Sequence, residues 1–250
     1  MCWRCDAKGR LVEWHEERPL LERRREKLRQ TFSLPEVSLC KDSPTKSGEW
    51  RRTLKGLQLL DETIGASYLL SRGLAIEVAH EAGSRFSQDF YGHPAVVFPL
   101  RDKQGQLVAA QGRYLSDGSS PKARTIGDKK LGAFTTSGLW EAVAGGAPLV
   151  VCEAPIDALS LASCGFPALA LCGKDGPDWL ARACAFQTVA LAFDADDAGD
   201  LGAGKLAAQI EMLGAKPFRL RPAGGKDWNE LLQEQGREEL TDWLALQLLK

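Results

Sequence analysis

No stretch of this chain stays apolar for anything near the roughly 20 residues that a membrane helix requires. No early segment joins a basic start to an apolar run and a small-residue cleavage site. Neither a membrane span nor a secretory leader is expected, and the cytoplasm is the expected compartment. Net charge is missing too: 32 Lys and Arg face 33 Asp and Glu, for a formal charge of -1 at pH 7. A uniformly basic nucleic-acid binder would stand out by composition, so any such affinity here has to come from how charge is distributed. A disulfide framework is also not expected. The cysteine count, seven, is odd, and Cys152, Cys164, Cys172 and Cys184 sit in apolar patterns that suit reduced core residues. What is present, 44% hydrophobic and 26% charged residues over 250 positions, suits a globular protein of one large domain or two modest ones.

Charge is clustered. Arg18, Arg23, Arg24, Arg25, Lys27 and Arg29 crowd one segment, and Lys122, Arg124, Lys129 and Lys130 another, each readable as a solvated face or as a basic patch. The opening Cys2-Trp3-Arg4-Cys5, with Gly9 and a short Leu11-Val12 strand, reads as a remnant of a zinc ribbon over 1–15 or as an irregular start. A charged helix follows at 16–30 with a thin stripe of Leu20, Leu21 and Leu28, then a Pro, Ser and Gly-rich linker, so that 16–55 forms a helical lead-in. Leu57, Leu60, Ile64, Tyr68 and Leu69 fall at helical spacing, and a second helix is predicted around 76–81. The runs 95–100 and 107–114, with a turn at 102–105, read as an antiparallel hairpin. Residues 56–146 thus form a small α+β subdomain.

After Gly145-Gly146 the pattern changes. Short apolar runs at 149–152, 168–171, 189–193 and 216–220 alternate with helical segments at 155–165, 177–186 and 198–214. This β-α-β-α-β-α-β order implies a parallel sheet with helices on both faces over 147–235, with a C-terminal helix at 236–250. In such sheets ligands gather beyond the carboxyl ends of the strands. Acids stand there: Glu153 after the first strand, Asp175 with Gly173 after the second, and Asp194-Ala195-Asp196 after the third. Two residues apart in an extended segment, Asp194 and Asp196 point the same way. Like charges so close repel unless a cation is present, and magnesium or manganese takes one or two carboxylates with water and phosphate. Each acid alone is equally well explained as a helix cap. Asp157, one helical turn after Glu153, reads as a supporting acid or as a surface carboxylate. Asp227, opening the last helical region, reads as a further metal ligand or as an N-cap.

The segments Glu153-Ala154-Pro155-Ile156-Asp157, Asp194-Ala195-Asp196-Asp197-Ala198-Gly199 and Lys226-Asp227-Trp228-Asn229-Glu230 resemble the Toprim domain shared by primases, topoisomerases and related nucleases. Upstream, Ala66-Ser67-Tyr68-Leu69-Leu70-Ser71-Arg72-Gly73-Leu74, Val97-Phe98-Pro99-Leu100-Arg101-Asp102, Gly105, Gly112-Arg113 and Pro121-Lys122 resemble the N-terminal subdomain of the DnaG-type primase RNA-polymerase core. The resemblance covers roughly 56–235. It implies an α/β chain with a Toprim-type parallel sheet, preceded by a small α+β subdomain and a helical N-terminal segment. It also implies synthesis of RNA primers on single-stranded DNA from ribonucleoside triphosphates, with Mg2+ or Mn2+ and with a replicative helicase among the partners. Asp194 and Asp196 are then principal metal ligands, Glu153 a ligand or proton-handling group, Asp157 and Asp227 supporting acids, and Arg113 and Lys122 part of a basic groove. Metal-bound phosphoryl transfer needs such a groove to complete the neutralisation of the phosphates.

The chain departs from the family where Asp197 replaces a basic residue after the Asp-x-Asp, and where Asp227-Trp228-Asn229 replaces an Asp-Pro-Asp. Primases of this type also start with a zinc module, whose closing half resembles Cys2 to Cys5. Two cysteines cannot close a tetrahedral Zn2+ site, so the chain is either a fragment or a protein that has lost zinc there. Competing expectations are a Toprim nuclease, and a catalytically weak nucleic-acid-binding module of a mobile element. A topoisomerase-like nucleophile is not indicated, since Tyr68, Tyr91 and Tyr114 all lie in apolar or hairpin patterns.

Overall fold

The computed structural model describes residues 54–116, 121–173, 175–225 and 227–248. All of them belong to one unit, Lys46–Lys250. The expected zinc remnant with Cys2 and Cys5, the charged helix and the linker lie outside the described residues.

A 3-10 turn at Leu54–Gly56 leads to helix α1 (Ile64–Ser71), which starts where the Thr63 hydroxyl accepts the Ala66 N–H. The helical spacing that begins at Leu57 is misleading: Gln58 instead bridges Phe86 in extended pairing, so only Ile64 onward is helical. Helix α2 (Ile76–Glu81) follows. Strands β1 (Arg85–Ser87), β2 (Ala95–Arg101), β3 (Leu107–Tyr114) and β4 (Ala123–Gly127) then form an antiparallel sheet in that order. The expected β2–β3 hairpin is present, its turn closed by the Asp102 carboxylate accepting the N–H groups of Gln104 and Gln106. Gly112 on β3 is required because a Cβ there would run into the ring of Phe90.

Strand β5 (Phe134–Thr135) and helix α3 (Leu139–Ala144) lead into the second half. There β6 (Leu149–Cys152), α4 (Pro155–Ser163), β7 (Ala168–Ala170), α5 (Leu180–Ala183), β8 (Thr188–Leu191), α6 (Asp197–Glu211) and β9 (Lys216–Arg219) alternate as the spacing predicts. Helices α7 (Trp228–Gln235) and α8 (Arg237–Leu248) complete the chain. The sheet order is β5-β7-β6-β8-β9, parallel except for β5 at its edge.

Strand periodicity sorts this sheet into two faces. Leu149, Val151, Leu169, Leu171, Val189 and Leu191 pack with residues of α3, α5 and α6. The opposite face carries Val150, Cys152 and the small residues Ala168, Ala170, Ala190 and Ala192, which let α4, α7 and α8 pack against it. The same core takes in Val96, Phe98 and Leu100 of β2, and the Phe98 and Phe134 rings meet edge to face at 5.4 Å. The two sheets are therefore joined through side-chain packing and through an Arg101 to Ala133 bridge. No helix among the described residues is long and apolar enough to cross a membrane.

Candidate metal and nucleotide site

Only Glu153 and Ala154 separate β6 from α4, whose first residue is Pro155, a residue pre-set for a helix start. Glu153 is thus held at the strand end, half-buried, and its Oε1 accepts the backbone N–H of Asp194 at 3.2 Å. Asp194 stands just beyond β8, the parallel neighbour of β6. Its Oδ1 is buried and has no hydrogen-bond partner. Burial first, then the charges of Glu153, Asp227 and Asp196, push its carboxyl up to about 6, while Arg219 works in the other direction.

Asp157 on α4 is only 4% exposed, which removes the surface-carboxylate reading. Burial, then Asp194 and Asp227, raise its pKa well above the usual carboxylate range, and a hydrogen bond from the Asn229 backbone opposes them. Asp196 and Asp227 both cap helices: Oδ1 of Asp196 accepts the Gly199 N–H at 2.7 Å, and Oδ1 of Asp227 accepts the Glu230 N–H at 2.7 Å. The capping reading therefore holds for these two, and it uses one oxygen of each carboxylate. It does not hold for Asp194. Asp175, exposed on the β7–α5 loop, is not among the acids that act on Asp194.

Gly199 shapes the turn that carries Asp194 and Asp196. A Cβ at this position would collide with the Asp194 carbonyl oxygen, so only glycine lets the first turn of α6 close onto that segment.

The donor set suits a divalent cation. Glu153, Asp194, Asp196, Asp157 and Asp227 gather at one sheet edge, their charges oppose one another, and one buried carboxylate oxygen is orphaned. Among the described residues no three His, Cys, Asp or Glu side chains close around one point as an all-protein cage would. A hydrated hard ion, which keeps several waters and takes one or two carboxylates plus phosphate, matches that arrangement.

Arg113 lies on β3 opposite Val96 and Ala123, half-buried, and the exposed Lys122 directly precedes β4, its carbonyl accepting the Tyr114 N–H. Neither forms an ion pair with a carboxylate among the described residues. Gln111, two residues before Arg113 and on its strand face, donates to the Cys172 carbonyl at 3.2 Å and so reaches the loop beyond β7. Arg124 stacks on the Tyr91 ring at 3.8 Å.

The sequence pattern did not mark Arg219, Arg221 and Asp200, which lie directly behind the Asp194 segment. Their signal was an Arg-x-Arg at the end of the strand beside the Asp-x-Asp, the same spacing-of-two logic that selected the acids. Nor did it mark Asn229 as a hub: its side-chain amide donates to the Arg72 carbonyl and to Ser160 Oγ and accepts from the Arg72 guanidinium.

Residues 150–232 match the Toprim-like family. The chain is 36% identical over 189 residues to a DNA primase of Deinococcus radiodurans, an alignment covering 69% of this chain and 31% of that protein. Its fold is similar to that of the Aquifex aeolicus primase, in a structure of the zinc-binding and RNA polymerase domains, at a TM-score of 0.61 and 20% identity over 79% of this chain and 59% of that one. It is also similar to the primase fragment of the bacteriophage T7 primase-helicase protein, at a TM-score of 0.55 and 24% identity over 70% of this chain and 73% of that one. The chain thus spans just under a third of the length of the curated relative that it matches.

Proposed function

From the premise that this chain carries a Toprim domain within the fold of a DnaG-type primase catalytic core, we propose that it is a nucleotidyltransferase that builds short RNA primers on single-stranded DNA. The observation that carries the proposal is the buried, unpartnered Asp194 Oδ1 set among Glu153, Asp196 and Asp227. A bound Mg2+ or Mn2+ supplies charge neutralisation on the nucleotide phosphates and on the attacking oxygen. Asp194, with either Glu153 or the oxygen of Asp196 not used in capping, would hold the ion, with water and phosphate completing its shell. Asp227 is a further acid beside the site, and the buried Asp157, whose carboxyl is held toward its neutral form, is a supporting acid.

The reaction joins a primer 3′-hydroxyl to the α-phosphate of an incoming ribonucleoside triphosphate, with pyrophosphate leaving. Glu153, half-buried and accepting the Asp194 N–H, acts as a ligand of the ion or, in its other reading, takes the hydroxyl proton. Arg113 and Lys122 bind nucleotide or template phosphate as part of a basic groove. Residues 56–146 serve as the template-side subdomain, 147–235 as the metal-binding domain and 236–250 as a closing helix. A cytoplasmic setting and a replicative helicase as partner complete the proposal; the second draws on the T7 relative, which is itself a primase-helicase protein.

Incubating the protein with mixed single-stranded DNA templates, manganese and labelled ribonucleotides tests it. New oligoribonucleotides that disappear in Asp194→Asn, with a loss of several orders of magnitude, are the expected outcome. Shortened template would point to a Toprim nuclease instead. Template binding without synthesis, unchanged in Asp194→Asn, would point to a catalytically weak binding module of a mobile element.

A further inference from the structure

Two arginines end the strand next to the one that delivers the acids. β8 and β9 run parallel with Leu191 opposite Arg219, so Arg219 sits at the level where β8 gives way to the segment bearing Asp194 and Asp196. The ladder stops there, and the carbonyls beyond it need other donors. Nη1 of Arg219 donates to the carbonyls of Leu191 at 3.0 Å, Phe193 at 2.8 Å and Leu220 at 2.9 Å. Its Nη2 donates to the Asp194 carbonyl at 2.6 Å and to Asp200 Oδ1 at 2.8 Å, and its Nε to that same carboxylate oxygen at 3.0 Å. Arg221 donates from Nη2 to the Ala195 carbonyl at 3.0 Å and lies 3.1 Å from Asp200 Oδ2.

Phe193, Asp194 and Ala195 are therefore held, carbonyl by carbonyl, by two guanidinium groups. Asp200, in the first turn of α6, anchors both guanidinium groups to the helix that follows. Neither arginine bonds to the carboxylate of Glu153, Asp194 or Asp196, so neither guanidinium occupies the oxygens that would face a cation. A surface ion pair alone would contribute little. Here the planar fork of arginine is spent mainly on backbone, which the compact ammonium of lysine cannot reproduce.

We infer that Arg219, supported by Arg221 and Asp200, is a positioning residue for the divalent-cation site: it fixes the backbone beneath Asp194 and Ala195 against the mutual repulsion of the acids. This inference rests on the proposed metal-binding role of those acids. It assigns Arg219 no contact with substrate.

Titrating the full chain with Mn2+ alone, and following free Mn2+ by electron paramagnetic resonance, reads the site without catalysis. Circular dichroism melts on the same samples separate affinity from folding. The wild type is expected to bind Mn2+ and Asp194→Asn to lose that binding. Arg219→Lys is expected to weaken Mn2+ affinity at least tenfold while still folded, and Asp200→Asn several-fold. Should Arg219→Lys fail to fold, Asp200→Asn and Arg221→Ala, both altered at half-exposed side chains, carry the test. A merely structural role would lower the melting midpoint and leave the affinity of the folded protein untouched. Wild-type affinity in these variants, together with loss in Asp194→Asn, would overturn the inference and leave the metal site standing. Absence of Asp194-dependent Mn2+ binding in the wild type would overturn both.

Discussion

Asp194 meets two opposed demands: a half-buried place among other acids, which favours the neutral carboxyl, and a negative charge, which a cation site needs. Its carboxyl is raised from 3.8 to about 6, first by burial and then by Glu153, Asp227 and Asp196. A carboxyl with a higher pKa in the folded chain stabilises the fold while it is protonated. That contribution is complete below about pH 4 and is lost as pH rises through about 6. A shift of about two units corresponds to about 3 kcal/mol, and solvent screening at a half-open group brings the effect to about 1 kcal/mol. In EDTA, the unfolding free energy from urea titrations is expected to fall between pH 4 and pH 7, with Asp157 acting in the same direction, and to fall by about that amount less in Asp194→Asn. Adding Mg2+ at pH 7 is expected to raise the melting midpoint of the wild type and leave that of the variant unmoved, because binding to the folded state alone stabilises it. An equal pH slope in the two proteins would remove Asp194 as its source.

Among the elements, α6 has the most exacting start. Asp196 caps it, Asp200 in its first turn reaches Arg219 and Arg221, and Gly199 leaves room for the Asp194 carbonyl. Gly199→Ala would suit the helix by propensity, where alanine is favoured by about 1 kcal/mol. The steric conflict with Asp194 outweighs that gain. The variant is expected to stay folded with a lower melting midpoint, and to carry out the proposed primer synthesis at least tenfold below wild type under saturating manganese; a variant as active as the wild type would show that the α6 start tolerates displacement. Element types were largely legible where apolar spacing was strong, as in β2, β3, β6, β8 and α6. Strand β4 was not, because only Ile126 in it is buried and its partner β3 supplies the pairing. Strand β5 has two residues, too few for any period. Helix α5 is shorter than 177–186, with Trp179 tied through its indole N–H to the Leu131 carbonyl and Phe186 in a left-handed backbone conformation.

At the scale of the molecule, the antiparallel sheet and the parallel sheet share one core, and polar ties reinforce it. Asn229 is 1% exposed and joins Arg72, at the end of α1, to Ser160 on α4, while its backbone reaches Asp157. Removing the amide leaves the Arg72 carbonyl and the Ser160 hydroxyl without that partner. Asn229→Ala is expected to cost about 1–3 kcal/mol in urea unfolding. It is also expected to lower the proposed primer synthesis by more than the lost stability explains, since Asp227 and Asp157 both depend on where α7 sits. Trp228, fully buried, secures the same helix by donating its indole N–H to the Ala192 carbonyl.

The alternation of strands and helices from β6 to β9, the edge at which the acids emerge, and the resemblance to a primase core were all written in the sequence. Alternation of apolar residues is a local property, and a parallel sheet sends every strand end to one side. Which acid is orphaned and which are engaged as caps was decided only by the tertiary structure: Asp194, Asp196 and Asp227 look alike in the chain, and burial and available N–H groups tell them apart. The arginines behind Asp194 came into view only there as well, because a guanidinium's choice of carbonyls depends on which strands lie side by side, and the order β6-β8-β9 is set by packing rather than by spacing along the chain.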